Sequence, residues 1–352
     1  MSLLLLSALL ILIFIVIYQI TRAVEYVNLI RGDEVEVNKK NNKILAWILF
    51  IVFIAGMYGV YETHRLLAPI YLPQAASIQG VQYEKILLAT IIVTGTVFFI
   101  TQTLLFWFSF RYQAIDGKKP LFYAHNNKLE VIWTTVPAIT LMILIGFGLK
   151  SWVNMTGKPP ADAMKVQVVG KQFNFIIRYA GKDGVFGKTN FRNINDANNV
   201  LGLDWNDPAS KDDIIIENGE VHVIKDIPVQ FIINSRDVIH NLFLPHFRMK
   251  MDAVPGITTS LWVTPTITTK EMAKITENPD FVYEIPCSEL CGSGHYSMRG
   301  TVVVETKGEF NRWIAQQKPY YALHKDDIEG KAAPVAPAPT TTDSTASTIA
   351  VK

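Results

Sequence analysis

Four long apolar runs precede every other pattern in the chain: Leu3 to Ile20, Ile44 to Tyr61, Ile86 to Phe110 and Val131 to Leu149. None carries an internal charge, and each is about long enough to cross roughly 30 Å of hydrocarbon, so each is predicted as a membrane helix. The first run has a rival reading as a cleaved signal peptide. Met1 and Ser2 supply no basic segment ahead of it and no clear small-residue cleavage site follows, which favours retention. Between the first two runs lie Arg22, Arg31, Lys39, Lys40 and Lys43; between the third and fourth lie Arg111, Lys118, Lys119 and Lys128. The excess of basic residues puts both connections in the cytoplasm. Alternation then carries the N-terminus, the loop from Glu62 to Lys85 and everything after Lys150 to the other side, the periplasm if the membrane is a bacterial inner membrane.

From Lys165 to Thr306 the period shortens to that of strands separated by turn residues: Val166 to Val169, Phe173 to Tyr179, Ile214 to Glu217, Val229 to Asn234, Thr259 to Val263, Phe281 to Ile285 and Thr301 to Val304. This predicts an all-β sandwich or barrel anchored by the membrane helices. The stretch Gly181 to Asp213 is rich in Asn, Asp and Gly and reads as a long surface insertion. Phe310, Trp313 and Ile314 then recur at helical spacing, predicting a short amphipathic helix. The organisation that follows is a membrane hairpin over 1–61, a periplasmic loop over 62–85, a two-helix anchor over 86–152, a β domain over 155–317 and a C-terminal extension over 318–352. From about residue 332 the extension is Ala, Pro, Thr and Ser, a composition of disorder.

Composition adds two facts. The 352 residues are 49% hydrophobic, more than a soluble protein of this length needs, and the net charge of +2 is not gathered into long blocks, so nothing points to nucleic acid. The two cysteines, Cys287 and Cys291, sit in one short stretch and cannot staple distant parts of a fold. A short-loop disulfide is the alternative to metal ligation, but closing so small a loop removes little chain entropy.

That stretch reads Cys287-Ser-Glu-Leu-Cys291-Gly-Ser-Gly-His295-Tyr-Ser-Met298, with thiols, an imidazole and a thioether on one loop between two predicted strands. Soft sulfur with imidazole selects copper or zinc over magnesium or calcium. Structural zinc wants a closed set of four strong ligands, whereas copper accepts a weak axial methionine. A second histidine must come from elsewhere, and His240 is the best candidate, at the end of the apolar run Val229 to Ile239. His246, after Pro245, is weaker, and His222 reads as exposed on an alternating strand.

Three blocks, Ser235-Arg-Asp-Val-Ile-His240-Asn241, Met251-Asp-Ala-Val-Pro-Gly256 and the cysteine loop, together resemble subunit II of the cytochrome c oxidases, in that family's order. The resemblance covers roughly Ile86 to Trp313. It implies a cupredoxin domain, a Greek-key β-sandwich, holding a binuclear copper centre (CuA) bridged by Cys287 and Cys291. His240 with Met298 would complete one copper, and His295 with the carbonyl of Glu289 the other. It further implies that the Glu289 carboxylate helps bind magnesium against subunit I with Asp252 nearby, and that Glu130 admits protons to a channel in subunit I. A helix-start glutamate also has a plain reading as a partner of the helix dipole. The implied partners are subunit I and other oxidase subunits, lipid, and a separate cytochrome c or haem c subunit as donor. No Cys-x-x-Cys-His occurs, so the chain itself carries no covalent haem, and the membrane runs hold no haem ligand set.

Departures from the family are equally legible. The usual tryptophan for electron uptake is replaced by Phe173 in Gly170-Lys-Gln-Phe173-Asn-Phe175, leaving Phe173 and Phe175 as the aromatic candidates. The stretch Pro265 to Pro279 is long, and the family has two membrane helices rather than four; the extra hairpin suits packing against another membrane subunit, of the oxidase or of a respiratory supercomplex. Asp204, Asp207, Asp212, Asp213, Glu217 and Glu220, with Lys211 among them, predict either an acidic face for a basic donor or a solvated loop. Three other functions fit less well. A thioredoxin-like copper chaperone needs alternating helices and strands, a quinol oxidase subunit II lacks the copper ligands, and nitrous oxide reductase needs a propeller for which there is no room.

Overall fold

The computed structural model describes residues 3–31, 34–68, 70–113 and 123–330, and they separate into two compact units. The first unit holds the long helices α1 (Leu3–Arg31), α2 (Glu34–Leu67), most of α3 (Ile78–Arg111) and most of α4 (Asn127–Thr156). All four contain a span long and apolar enough to cross a membrane, Ile11–Arg31, Lys40–Leu67, Ile78–Arg111 and Asn127–Thr156, and most apolar side chains in these spans are exposed, as a lipid-facing helix requires. Each outruns the apolar segment that nucleates it, because polar residues at the ends continue the backbone hydrogen bonding. Within this unit Phe53 of α2 stacks on Phe106 of α3 at 4.6 Å, and Trp47 meets Phe110 edge-on at 5.0 Å. One face of the N-terminal hairpin is therefore used inside the chain itself. Lys118 and Lys119 of the cytoplasmic expectation lie outside the described residues.

The second unit is a sandwich. Strands β1 (Met164–Lys171), β2 (Asn174–Tyr179), β3 (Ile214–Ile216), β5 (Val229–Ser235) and β8 (Thr259–Val263) form one sheet in the order β3-β2-β1-β5-β8; β4 (Glu220–Ile224), β10 (Arg299–Glu305) and β9 (Tyr283–Pro286) form another in the order β4-β10-β9. A two-stranded ribbon, β6 (His240–Leu244) with β7 (Met249–Ala253), lies at one end. Val166, Val168, Phe175, Phe231 and Leu261 from the first sheet close on Val221, Val223, Val302 and Val304 from the second. The ribbon strands β6 and β7 and the helix α5 (Thr269–Ile275) were absent from the sequence expectation; α5 fills the stretch before the strand that leads into the cysteine loop and is opened by a capping box of Thr268 and Glu271. The segment 75–83 belongs to this unit too. Ser77 Oγ donates to the Phe247 carbonyl at 2.9 Å and Gln79 Oε1 accepts from the Thr264 amide at 2.9 Å.

The five-stranded sheet is covered on both faces, which explains why β1 and β2 carry apolar residues without alternation. On the outer face Val169 and Ile176 pack with Val200, Leu201 and Leu203 of the insertion and with Tyr320 from the extension. Arg178 is buried beneath the insertion, where it pairs with Asp213 and donates to the Gly187 carbonyl at 2.6 Å. Beyond α6 (Lys307–Gln316), the extension forms two short helices, α7 (Tyr320–Leu323) and α8 (Lys325–Gly330), and Tyr321 packs on Trp205 at 5.4 Å. The expected disordered tail lies outside the described residues.

Candidate metal centre

The cysteine loop leaves β9, turns through a short 3-10 helix at His295–Ser297 and returns as β10, so its side chains are held at both ends by antiparallel pairing. Cys287 and Cys291 are free, buried, and 3.9 Å apart at sulfur, too far for a disulfide but less than twice a thiolate–metal bond of about 2.3 Å. Around them the other donors converge. Cys291 Sγ lies 3.6 Å from His295 Nδ1 and 3.8 Å from Met298 Sδ, and the Glu289 carbonyl lies 3.3 Å from Cys287 Sγ. The nitrogen of His240 falls with both sulfurs inside a sphere where no ligand atom is more than 4.8 Å from another. Every residue the resemblance implied as a copper ligand is thus brought to one place.

His240 enters from β6 because β1 and β5 run parallel and in register, Gly170 beside Ser235, so the loop leaving β5 crosses the end of β1. Its ring is fully buried against Gly170, where a Cβ would stand 2.7 Å from Cδ2; glycine is required for that approach. His240 Nε2 donates to Asp237 Oδ1 at 2.7 Å, which leaves Nδ1 buried without a hydrogen-bond partner and free to ligate. A carboxylate behind a ligating histidine fixes its tautomer and ring plane. Asp237 also accepts from the Gln172 amide at 2.7 Å, and Gln172 Nε2 donates to the Cys291 carbonyl at 2.6 Å. Burial opposes ionisation of Asp237, but the Gln172 amide and His240 outweigh it and hold its carboxyl below the usual range. Burial pushes the Cys291 thiol up to about 11, and the neighbouring Cys287 adds to the rise. The Cys291 thiol is therefore protonated near neutral pH unless a cation replaces the proton. The set of sulfurs, imidazoles and one carbonyl around an unsatisfied buried nitrogen fits copper.

Other sequence candidates separate. Phe173 is 37% exposed and its ring lies on the cysteine loop, so close to Gly292 and Gly294 that a Cβ at either would stand within 2.5 to 3.1 Å of the ring. Phe175, the second electron-uptake candidate, is fully buried in the sandwich core and cannot meet a donor. Glu130 stands in the first turn of α4, where its carboxylate accepts from the Asn126 amide at 3.4 Å. Asp252 accepts from Asn241 at 2.5 Å, and Asn241 in turn accepts from Ser288, next to Glu289. His246 packs edge-on against Phe281 and Tyr283. His222 is not exposed: Trp313 from α6 stacks over it at 3.8 Å, covering the face that alternation assigned to solvent. The acidic insertion is largely self-satisfied. Asp213 is buried with Arg178, and Asp207 caps a turn and accepts from the Lys188 amide. Asp237, Gly170 and Gln172 were missed as site residues; the signal for Asp237 was an aspartate three positions before a ligand.

Comparison with known proteins gives the same picture. Residues 164–306 match the family described as cytochrome C oxidase subunit II, periplasmic domain, and residues 67–150 match its transmembrane domain. The alternative cytochrome c oxidase subunit 2 of Bradyrhizobium diazoefficiens is 34% identical over 231 residues, spanning 66% of this chain and 78% of that protein. The chain belongs to the cytochrome c oxidase subunit II family. It is an oxidase subunit, anchored in a membrane, with a cupredoxin-like periplasmic domain. Cytochrome c oxidase subunit 2 of Cereibacter sphaeroides is 26% identical over 243 residues, 65% of this chain and 73% of that protein. Among solved structures, the periplasmic domain of subunit II of cytochrome oxidase from Bradyrhizobium japonicum is 24% identical, with a TM-score of 0.30, over 44% of this chain and 94% of that one. The family's membrane segment covers α3 and α4, and α1 with nearly all of α2 lies outside it.

Proposed function

We propose that the chain is the electron-accepting subunit of a respiratory cytochrome c oxidase, taking electrons from cytochrome c or a haem c subunit at a binuclear copper centre. From there they pass to haem in subunit I, where oxygen is reduced to water with proton pumping. The observation that carries this is the convergence of six donors on one place: Cys287, Cys291, His295, Met298, the Glu289 carbonyl and the imidazole of His240, whose Nδ1 has no hydrogen-bond partner. Copper held there by Cys287, Cys291, His240, His295 and Met298 would supply one-electron chemistry. The protein's part is rigidity. His240 and the loop are held by the sheet and by Asp237 and Gln172, so the ligands keep their places whichever charge they surround, which keeps reorganisation small. Phe173 covers the loop glycines and is partly exposed, which makes it the aromatic group we assign to electron entry. In the same reading the Glu289 carboxylate binds magnesium against subunit I, Glu130 admits protons at the cytoplasmic start of α4, and the membrane is the inner membrane of a bacterium.

The test is metal analysis and spectroscopy of the full chain after copper loading. The expected result is about two copper ions per chain, a purple oxidised form, and an EPR hyperfine pattern from two equivalent copper nuclei. A single copper, or a single zinc, would overturn the reading.

A further inference from the structure

The insertion between β2 and β3 ends close to the copper ligands' supports, and one side chain makes the connection. Asp196 Oδ1 receives Arg236 Nη1 at 2.8 Å and Lys171 Nζ at 2.9 Å. Those two cations stand on different loops. Lys171 ends β1 and directly precedes Gln172, whose side chain holds the Cys291 carbonyl; Arg236 directly precedes Asp237, whose carboxylate holds His240. The same Arg236 donates through Nη1 to the Val200 carbonyl at 3.0 Å and through its amide to the Gly170 carbonyl at 2.9 Å. From the insertion to His240 and Cys291 the line runs through these polar contacts and the two peptide bonds that join Lys171 to Gln172 and Arg236 to Asp237.

The insertion is stiff enough to transmit a position. Asp196 sits in a tight turn closed by Asn195 and Asn199, which exchange both backbone hydrogen bonds at 3.0 and 2.8 Å, with the Ala197 amide bound by the Asn195 side chain at 2.9 Å. Val200 and Leu201, immediately after that turn, are buried in the second core against Val169 and Ile176. Arg236 and Lys171 together hold the Asp196 carboxyl down at about 2, so it is ionised at any physiological pH. An exposed ion pair adds little stability. Its consequence here is positional: one carboxylate ties together two loops that also meet through the Arg236 amide on Gly170 and the Gln172 amide on Asp237.

We propose that Asp196 is a positioning residue for the copper centre, bracing through Lys171 and Arg236 the two loops that support Cys291 and His240. This rests on the copper reading of the site. The brace also sets local charge, since without Asp196 two cations remain uncompensated beside the outer shell, and nearby positive charge favours the reduced metal.

The experiment compares the full chain with Asp196→Asn, Asp196→Glu and Asp183→Asn, the last removing the same charge from an exposed turn outside the line. In copper-free protein, hydrogen exchange at the Gln172 and Arg236 amides is expected to quicken about tenfold in D196N only, as local opening becomes easier. In copper-loaded protein, D196N is expected to raise the midpoint potential and alter the copper hyperfine splitting, with D196E restoring both and D183N leaving both in place. Unchanged exchange in D196N overturns the brace, as does an equal potential shift in D183N. The exchange arm needs no metal, so a wild-type chain lacking the binuclear spectrum would sink the proposed function and leave the brace standing or falling on its own result.

Discussion

Replacing Gly170 by alanine tests how His240 is aimed. The new methyl carbon would stand 2.7 Å from His240 Cδ2 and 2.9 Å from Cγ, where unstrained carbon atoms keep about 3.5 to 4.0 Å. The ring must therefore withdraw by about 1 Å, and it has no free direction. It is fully buried and tied through Nε2 to Asp237 at 2.7 Å, while Gly170 is fixed by register with Ser235 and by the Arg236 amide. Overpacking of this kind costs about 1 to 3 kcal/mol. If the strain falls on the ligand, copper affinity drops by about 10-fold to 100-fold. Titrating the copper-free chain with copper, by visible absorption and EPR, reads this directly. Thermal unfolding with and without copper shows where the strain resides: a cost in the fold lowers both midpoints alike, and a cost in the site narrows the gap between them. A G170A chain with parental affinity and an unchanged copper spectrum would refute the close approach of ring and strand.

Three further outcomes are expected. Asp237→Ala removes the acceptor that fixes the His240 tautomer and should weaken copper binding by about 10-fold to 100-fold in a competition titration, while Asp237→Glu should recover part of it. In the proposed copper centre, Met298→Leu should keep the copper and shift the midpoint potential, because a thioether would be a weak ligand there; metal loss in that variant would contradict its place in the site. His246 is held down to about 4, first by burial and then by Arg248, below an unfolded value of about 6.5. Its folded state favours the neutral ring, so the contribution to stability is whole above about pH 6.5 and fades as pH falls toward 4, by about 1 to 2 kcal/mol given its partial exposure. Denaturant unfolding of the detergent-solubilised chain across that window should show His246→Phe losing this part of the acid dependence; parallel curves for parent and variant would argue against it.

What was legible in the sequence follows from how far apart the cooperating residues lie. The cysteine loop declared itself because its thiols, imidazole and thioether lie between Cys287 and Met298. The longer strands declared themselves by composition, and the membrane helices by length. His222 was misread because alternation describes a strand with one wet face, and the second face of β4 is roofed by Trp313 from a helix far along the chain. The ribbon of β6 and β7 was hidden because His240 and Asn241 at its start are polar yet buried, held by Asp237, Asp252 and Ser288 rather than by apolar packing. Gly170 and Gln172 carry no motif at all. They matter because β1 pairs in parallel with β5, so that residues more than sixty positions apart share one end of a sheet. A ligand list can thus be read from one loop, but the geometry that makes those ligands a rigid site depends on strand pairing. Substitutions meant to tune the centre without emptying it belong at Gly170, Gln172 and Asp237, where a change reaches the ligands through hydrogen bonds and close packing rather than by removing a donor.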